Sequence, residues 1–188
     1  MTKQNKALAA CPKTGLAIMH PKIAKLFREC LAKYTTRYAI ETVCAGDGWL
    51  CATDGRRLVV LKIRHDLEHG LYVLSKDNLL LRSLHDLHFP KWEAVLIPDK
   101  QRKLCYKGSL ADARNVGVVV YAINHNSGTC LDLELCMKPL LCMASMCMDV
   151  SVHVDNRTKG DLAVEVSGTA YGCELLYVQM PLSKDGAL

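Results

Sequence analysis

The chain has 188 residues and a formal net charge of +5 at pH 7, with half of its residues hydrophobic and 23% charged. This length allows one domain or two small ones with a buried core, and this balance excludes a disordered chain. The charge gives some attraction to nucleic acid or acidic peptides, but it lacks the strongly basic character of a dedicated DNA-binding domain.

The sequence contains no apolar run of the roughly 18 residues that a membrane span needs. Its first residues carry lysines but not the apolar stretch of a signal peptide. We therefore expect a cytoplasmic protein with no membrane partner. The ten cysteines are then expected as reduced thiols and not as a disulfide framework, because the cytosol keeps thiols reduced.

The first half of the chain predicts one helix followed by a three-stranded meander. Residues 1–12 are polar and predict a flexible tail. A proline at the first turn and apolar residues at helical spacing predict an amphipathic helix over residues 21–31. Glycine turns separate β-rich runs. The strands are expected at residues 15–19, 38–44, 49–53 and 57–63.

The second half predicts the same order of elements. A strand over residues 130–135 precedes a helix over residues 139–146, again with proline in its first turn. Three further strands are expected at residues 150–155, 162–166 and 174–180. The middle of the chain predicts strands at residues 71–74, 92–97, 103–107 and 116–123, with a short helix over residues 78–84.

The repeated order β-α-β-β-β predicts an α+β fold with two-fold pseudo-symmetry. Its helices are expected on one face of antiparallel sheets. The two half-repeats would cover about residues 13–85 and 101–185, joined by a linker near residues 86–100. Together they would form a single domain over residues 13–185.

Three segments resemble the bacterial DNA sliding clamp, the β subunit of DNA polymerase III. They are residues 50–58, LCATDGRRL; residues 89–95, FPKWEAV; and residues 177–182, YVQMPL. The resemblance implies the sliding-clamp (processivity) fold. In that family the three segments converge on one hydrophobic groove that binds short linear motifs of polymerases and repair proteins. The residues carried over to this groove are Thr53, Gly55, Arg56, Arg57, Leu58, Pro90, Val95, Val178, Met180, Pro181 and Leu182.

The chain departs from the family pattern in three residues and in length. Arg56 replaces a histidine, Ala94 stands where a basic residue is common, and Ser183 begins a different ending. A bacterial clamp chain has three domains of two half-repeats each, whereas this chain resembles the first half of the middle domain and the last half of the third. It is therefore expected as one fused clamp-like domain, of which six would complete a ring, or alternatively as two shortened clamp domains.

Sliding clamps present helix cations to double-stranded DNA without reading bases, which is the sequence-independent mode of binding. The DNA-facing candidates on the first helix are Lys22, Lys25, Arg28 and Lys33. A solvated basic face explains these residues equally well. The second helix is apolar nearly all round, which indicates burial in a subunit interface and hence a homo-oligomer.

The sequence contains no candidate for catalysis, metal binding or cofactor binding. The cysteines form no C-x-x-C pair, and no phosphate loop, nucleophile elbow or dinucleotide fingerprint is present. His65, His69, His85 and His88 are interpreted as surface residues. We therefore expect a non-enzymatic clamp-like protein. The alternatives are a clamp-derived peptide-binding adaptor that does not encircle DNA and, more remotely, a thiol or metal enzyme that uses the ten cysteines and seven histidines.

Overall fold

The computed structural model describes residues 8–10, 17–33, 38–84, 87–110, 116–117, 119–121, 133–155 and 163–180. Helices α1 (Pro21–Glu29) and α2 (Leu133–Ala144) are accompanied by helical residues at 116–117 and 119–121, and 3-10 turns cover Trp92–Val95 and Asp99–Gln101. The strands are β1 (Leu8–Ala10), β2 (Ala17–Met19), β3 (Val43–Gly46), β4 (Trp49–Thr53), β5 (Arg57–Lys62), β6 (Gly70–Leu74), β7 (Leu79–Arg82), β8 (Arg102–Gly108), β9 (Val150–Asp155), β10 (Val164–Ala170) and β11 (Cys173–Gln179). Within these residues no helix is long and apolar enough to cross a membrane.

All eleven strands belong to one antiparallel sheet in the order β1-β2-β7-β6-β3-β4-β5-β11-β10-β9-β8. α1 is followed by the meander β3-β4-β5, and α2 is followed by the meander β9-β10-β11. The two meanders meet where β5 pairs with β11, with Arg57 opposite Gln179 and Lys62 opposite Glu174. The sheet therefore runs through both halves of the chain without a break.

One face of the sheet carries the helix-side core. Alternate residues of the central strands point to the same face of a sheet. Leu50 and Leu61 lie on this face and pack in one cluster with Phe27 of α1 and Met143 of α2, and all four side chains are fully buried. Both helices therefore cover the same face of the sheet.

The opposite face carries a smaller outer core. Cys51, Leu58, Val60, Leu176 and Val178 point away from the helices and are buried. They are covered by the chain that precedes β8, which contributes the further residues Phe89, Trp92, Val95, Leu96 and Ile97. The central strands are thus buried on both faces, which explains their almost continuous apolar sequence.

Several predicted elements are confirmed. α1 begins at Pro21 and buries Ile23, Leu26 and Phe27, as its periodicity predicts. The strands predicted at residues 49–53, 57–63, 103–107 and 150–155 are present within one residue at each end. These segments are rich in apolar residues, and turn residues separate β4 from β5.

Three predictions around α2 and before it are wrong. A strand was predicted over residues 130–135, but the chain is helical from Leu133. Leucine and glutamate are strong helix formers, even where apolar and polar residues alternate as in a strand. Pro139 therefore lies inside α2 and not in its first turn, where it removes one helical hydrogen bond. Residues 116–117 and 119–121 are helical and not a strand. Val116, Val119 and Val120 are buried at helical spacing there, so tertiary packing overrides their β-propensity.

The remaining corrections concern short segments. The segment predicted as a helix over residues 78–84 contains strand β7 instead. Asn78, with φ +64°, lies in the turn immediately before this strand. The strand predicted over residues 92–97 is a 3-10 turn that crosses the outer core without joining the sheet. Leu8–Ala10, inside the predicted flexible tail, forms β1 and pairs with β2. Runs of this length are ambiguous in sequence, since an apolar run alone does not separate helix from strand.

Candidate peptide-binding groove

The first wall of the groove is the turn between β4 and β5. Thr53 Oγ1 accepts a hydrogen bond from Gly55 N at 3.1 Å and donates to the Arg57 carbonyl at 2.7 Å. Asp54 Oδ1 accepts from the backbone N–H groups of Arg56 and Arg57 at 2.9 and 2.7 Å. Gly55 has φ +88°, the left-handed region that favours glycine. The turn is therefore fixed by its own side chains.

Arg57 is held inside this wall by Asp54. Its Nε and Nη2 lie 2.8 and 2.6 Å from Asp54 Oδ2, and both side chains are 15% exposed. Burial lowers the pKa of Arg57, but the hydrogen bond and charge of Asp54 outweigh this effect and raise it overall. The guanidinium is thus a fixed, permanently charged part of the wall.

The second wall comes from the segment that covers the outer core. Pro90, Lys91, Trp92 and Val95 face the turn from across the groove. The Trp92 ring packs edge-on against Trp49 of β4, with ring centroids 5.3 Å apart. This contact joins the 3-10 turn to the central sheet.

A buried carboxylate holds the same segment in place. The Glu165 side chain of β10 is fully buried and accepts hydrogen bonds from the Ile97 backbone N–H and from the Arg102 guanidinium. An unpaired buried carboxylate would destabilise the fold, so Ile97 and Arg102 must stay within hydrogen-bonding distance of Glu165. The pairing therefore fixes the position of residues 97–102 over the sheet. Glu165 was missed by sequence reasoning, because nothing in a strand pattern shows which glutamate is buried.

The third part of the groove is the end of β11. Val178 lies opposite Leu58 in the sheet and is fully buried below the groove. Met180 N donates to the Arg56 carbonyl at 2.8 Å, which brings the half-buried Met180 side chain to the groove. Pro181 and Leu182 lie outside the described residues.

The three segments enclose a cavity of about 130 Å³. Its lining residues are Thr53, Gly55, Arg56, Arg57, Leu58, Pro90, Lys91, Trp92, Val95 and Met180. Eight of the eleven residues carried over from the resemblance line it, and Val178 lies in the core beneath it. Lys91 and Trp92 are lining residues absent from the predicted set, because that set contains only residues carried over from the resemblance.

The candidate DNA-facing residues have different surroundings. Lys22 Nζ donates to the Ser145 carbonyl at 2.7 Å. Arg28 Nη2 donates to the Ser75 carbonyl at 2.5 Å and to Asn78 Oδ1 at 2.8 Å. Lys25 is exposed on α1, whereas Lys33, which was predicted on the same helix, is exposed beyond the end of the helix at Glu29. Two of the four cations are therefore engaged by other parts of the chain.

A cleft between α1 and α2 carries another lysine. Lys138 of α2 lies with Lys22 and Lys25 of α1 around this cleft, together with the single acidic residue Glu29. Leu141 of α2 is 38% exposed, whereas Leu140 and Met143 are buried against the sheet. Over residues 137–144, whose side chains the structure describes, the second helix thus buries one side, instead of being buried all round.

Burial affects the acidity of several of the seven cysteines that the structure describes. Burial raises the pKa of Cys44 and of Cys147 to about 11 each, and it raises the pKa of the Cys30 and Cys51 thiols as well. A nucleophilic thiol requires the opposite shift. In the described part of the chain, no three His, Cys, Asp or Glu side chains are grouped closely enough to hold a metal ion.

Comparison with known proteins finds likeness among solved structures. The DNA polymerase III subunit β from Pseudomonas aeruginosa superposes with a TM-score of 0.52 at 12% identity, over 86% of this chain and 64% of that chain. The H. pylori β clamp, solved in complex with diflunisal, gives 0.54 at 10% identity, over 97% and 76%. No family model and no curated protein matches the sequence. At these identities the likeness concerns the fold alone, and it shows that the chain has a clamp-like fold.

Proposed function

We propose that the chain is a non-catalytic, clamp-like tether that holds partner proteins through the groove and associates with double-stranded DNA without reading its sequence. The partners would be DNA polymerase or repair proteins that carry short clamp-binding motifs. The observation that carries this proposal is the meeting of three segments, remote in sequence, around one cavity. The clamp-like fold supports it, although the chain spans only 64% of the Pseudomonas aeruginosa subunit.

The composition of the groove suits a short peptide. Leu58, Val95, Trp92 and Met180 provide apolar walls, and methionine and tryptophan accept side chains of several shapes. Polar groups on the rigid turn provide fixed points for orientation. This combination of apolar walls with a few placed polar groups is typical of peptide and ligand sites.

The test is binding of a fluorescein-labelled peptide with a polymerase clamp-binding motif, followed by fluorescence anisotropy. Arg57→Ala with Met180→Ala should abolish detectable binding. The double variant removes the fixed guanidinium of the first wall and the apolar side chain that follows β11. Val73→Ala is a matched control, because Val73 is 43% exposed on β6, outside the groove. Unchanged affinity in the double variant, with circular dichroism like that of the wild type, would refute the groove assignment.

The alternative function is that of an adaptor that binds peptides in the groove but does not bind DNA. One observation favours it: Lys22 and Arg28, although exposed, are hydrogen-bonded to other parts of the chain and are less available to phosphates. The exposed Lys25, Lys33 and Lys138 remain for phosphate contact. Salt-sensitive retention of the protein on DNA supports the clamp-like tether, whereas peptide binding without DNA retention supports the adaptor.

A further inference from the structure

Two buried cysteines lie side by side on the central strands of the sheet. Cys44 of β3 is directly opposite Cys51 of β4 in the antiparallel register. Residues opposite each other point to the same face of a sheet, so the Cys44 side chain lies beside that of Cys51 on the outer-core face. Among the cysteines that the structure describes, these are the two that the strand register places opposite each other.

The spacing of this pair suits a disulfide, although both thiols are free in the structure. Opposite residues of an antiparallel ladder have Cα atoms about 4.5 or 5.5 Å apart, depending on their hydrogen bonding. Both values lie within the range of about 4.4–6.8 Å that a disulfide spans. A disulfide also needs its Cβ atoms about 3.8 Å apart, which is about 1 Å closer than in an ordinary cross-strand pair. A small change in the twist of two adjacent strands is therefore enough to join the sulfurs.

The surroundings keep both thiols protonated at neutral pH. Burial raises the pKa of Cys44 to about 11, and the Glu93 carboxylate adds to this effect. Burial also raises the pKa of Cys51, which the neighbouring Cys44, Glu93 and Cys30 raise further. The thiolate is the form that reacts with oxidants, so a small thiolate fraction slows the reaction without making its product less stable. Oxidation of the pair should therefore be slow near pH 7 and faster in alkaline solution.

We propose that Cys44 and Cys51 form an intrachain disulfide when the protein meets a peroxide, so that the centre of the sheet holds a reversible oxidation site. Cys44 is 5% exposed and Cys51 is fully buried, so Cys44 reacts first. Its thiolate attacks one peroxide oxygen, the O–O bond breaks, and Cys44 becomes a sulfenic acid, while the released hydroxide takes up a proton to give water.

The second step joins the two strands. The Cys51 sulfur attacks the Cys44 sulfur, the S–O bond breaks, and the leaving hydroxide takes the thiol proton of Cys51 to give a second water. The two sulfurs together lose two electrons, which the peroxide takes up. Two thiols and one peroxide thus give one disulfide and two waters.

The second cysteine changes what oxidation does to the fold. A sulfenic acid without a neighbouring thiol is oxidised further to sulfinic and sulfonic acids, which thiol reductants do not restore. Such an acid at the buried Cys44 would place a charge beside the outer core, where Cys51 packs with Val60 and Trp92. The disulfide is neutral, and dithiols reduce it again. The pair therefore protects the core beneath the second wall of the groove.

The experiment maps the oxidation of the reduced full chain. The protein is treated with hydrogen peroxide, the reaction is stopped with catalase, and the chain is unfolded in iodoacetamide, digested with trypsin and analysed by mass spectrometry. The tryptic peptide of residues 38–56 contains Cys44 and Cys51 and no other cysteine. We expect this peptide to lose two hydrogens and to take up no iodoacetamide, and dithiothreitol should reverse both changes. The rate should rise about tenfold from pH 7 to pH 8, as the thiolate fraction does below the pKa.

Variants assign the product to this pair. In Cys51→Ala the same peptide should gain oxygen at Cys44 instead of losing two hydrogens. Cys147→Ala is the matched control, because burial raises the pKa of Cys147 to about 11 as well, but this residue lies outside the strands. It should form the disulfide as the wild type does. Oxidation should raise the urea midpoint of the wild type, since a disulfide restricts the unfolded chain, and it should not raise that of Cys51→Ala.

Three results in the wild type would overturn the proposal. The first is full alkylation of both cysteines after prolonged treatment with peroxide. The second is addition of oxygen to the peptide in place of the loss of two hydrogens. The third is a disulfide that joins two copies of the peptide, because the register pairs Cys44 with Cys51 within one chain. None of these results depends on whether the protein binds peptides or DNA.

Discussion

Gly55 shows how one residue fixes the groove. Its φ of +88° costs an L-amino acid about 1–2 kcal/mol, whereas a Cβ would meet no atom within 4 Å. Gly55→Ala should therefore lower the free energy of unfolding by about that amount through the backbone alone. Urea unfolding followed by tryptophan fluorescence measures it.

Gly117 provides the matched control for that substitution. A Cβ there would also meet nothing within 4 Å, but its backbone is helical. Gly117→Ala should leave stability unchanged or raise it by up to about 1 kcal/mol, because alanine reduces the entropy of the unfolded chain. A stabilising Gly55→Ala would contradict the turn geometry.

At the scale of elements, the segment before β8 depends on Glu165. Glu165→Gln keeps an acceptor for the Ile97 N–H but removes the charge that pairs with Arg102, whose side chain is 33% exposed. We expect a loss of about 2 kcal/mol in the free energy of unfolding, within the range for hydrogen bonds to charged groups. Peptide affinity should fall too, because residues 97–102 adjoin the second wall. Hydrogen exchange over residues 92–102 measures the loosening directly.

The control for this prediction is another glutamate with a basic partner. Glu174 pairs with Lys62, but both side chains are about half exposed. Glu174→Gln should cost less than about 1 kcal/mol, as exposed ion pairs generally do. Equal losses in the two variants would show that burial of Glu165 is not what holds the segment.

Elements differ in how well the sequence predicts them. β4 and β5 are predictable because Asp54-Gly55 gives a turn between two largely apolar runs. The 3-10 turn Trp92–Val95 is not predictable from its own residues, because its apolar side chains pack on a sheet face formed by strands distant in sequence. The eight lining residues predicted for the groove came from resemblance, because local patterns do not reveal that Thr53 and Pro90 are neighbours.

At the scale of the whole molecule, the decisive contact is the pairing of β5 with β11. It joins residues more than a hundred positions apart, Lys62 with Glu174 among them, and so continues one sheet through both halves. Local periodicity predicts the two meanders but not the strands through which they meet. The proposed half-repeats are thus related by a contact that only the folded chain reveals.

Among the described strands, the same sheet ends at β8, which pairs on one side with β9. Exposed strand edges pair readily with another chain, although lysines weaken that tendency. β8 presents Leu104, which is 52% exposed, between Lys103 and the partly buried Cys105. An apolar residue on an open edge provides a contact through which copies of the chain can associate.

If the proposed homo-oligomer is a ring of six domains, light scattering should give a mass about six times the 20.8 kDa of the chain. Leu104→Asp should lower that mass toward the monomer, because association would bury an unpaired carboxylate at the strand edge. Leu84→Asp is the control, since Leu84 is 98% exposed outside any strand. A wild-type monomer at micromolar concentration would contradict ring assembly and leave the adaptor, because the described lining residues of the groove all belong to one chain.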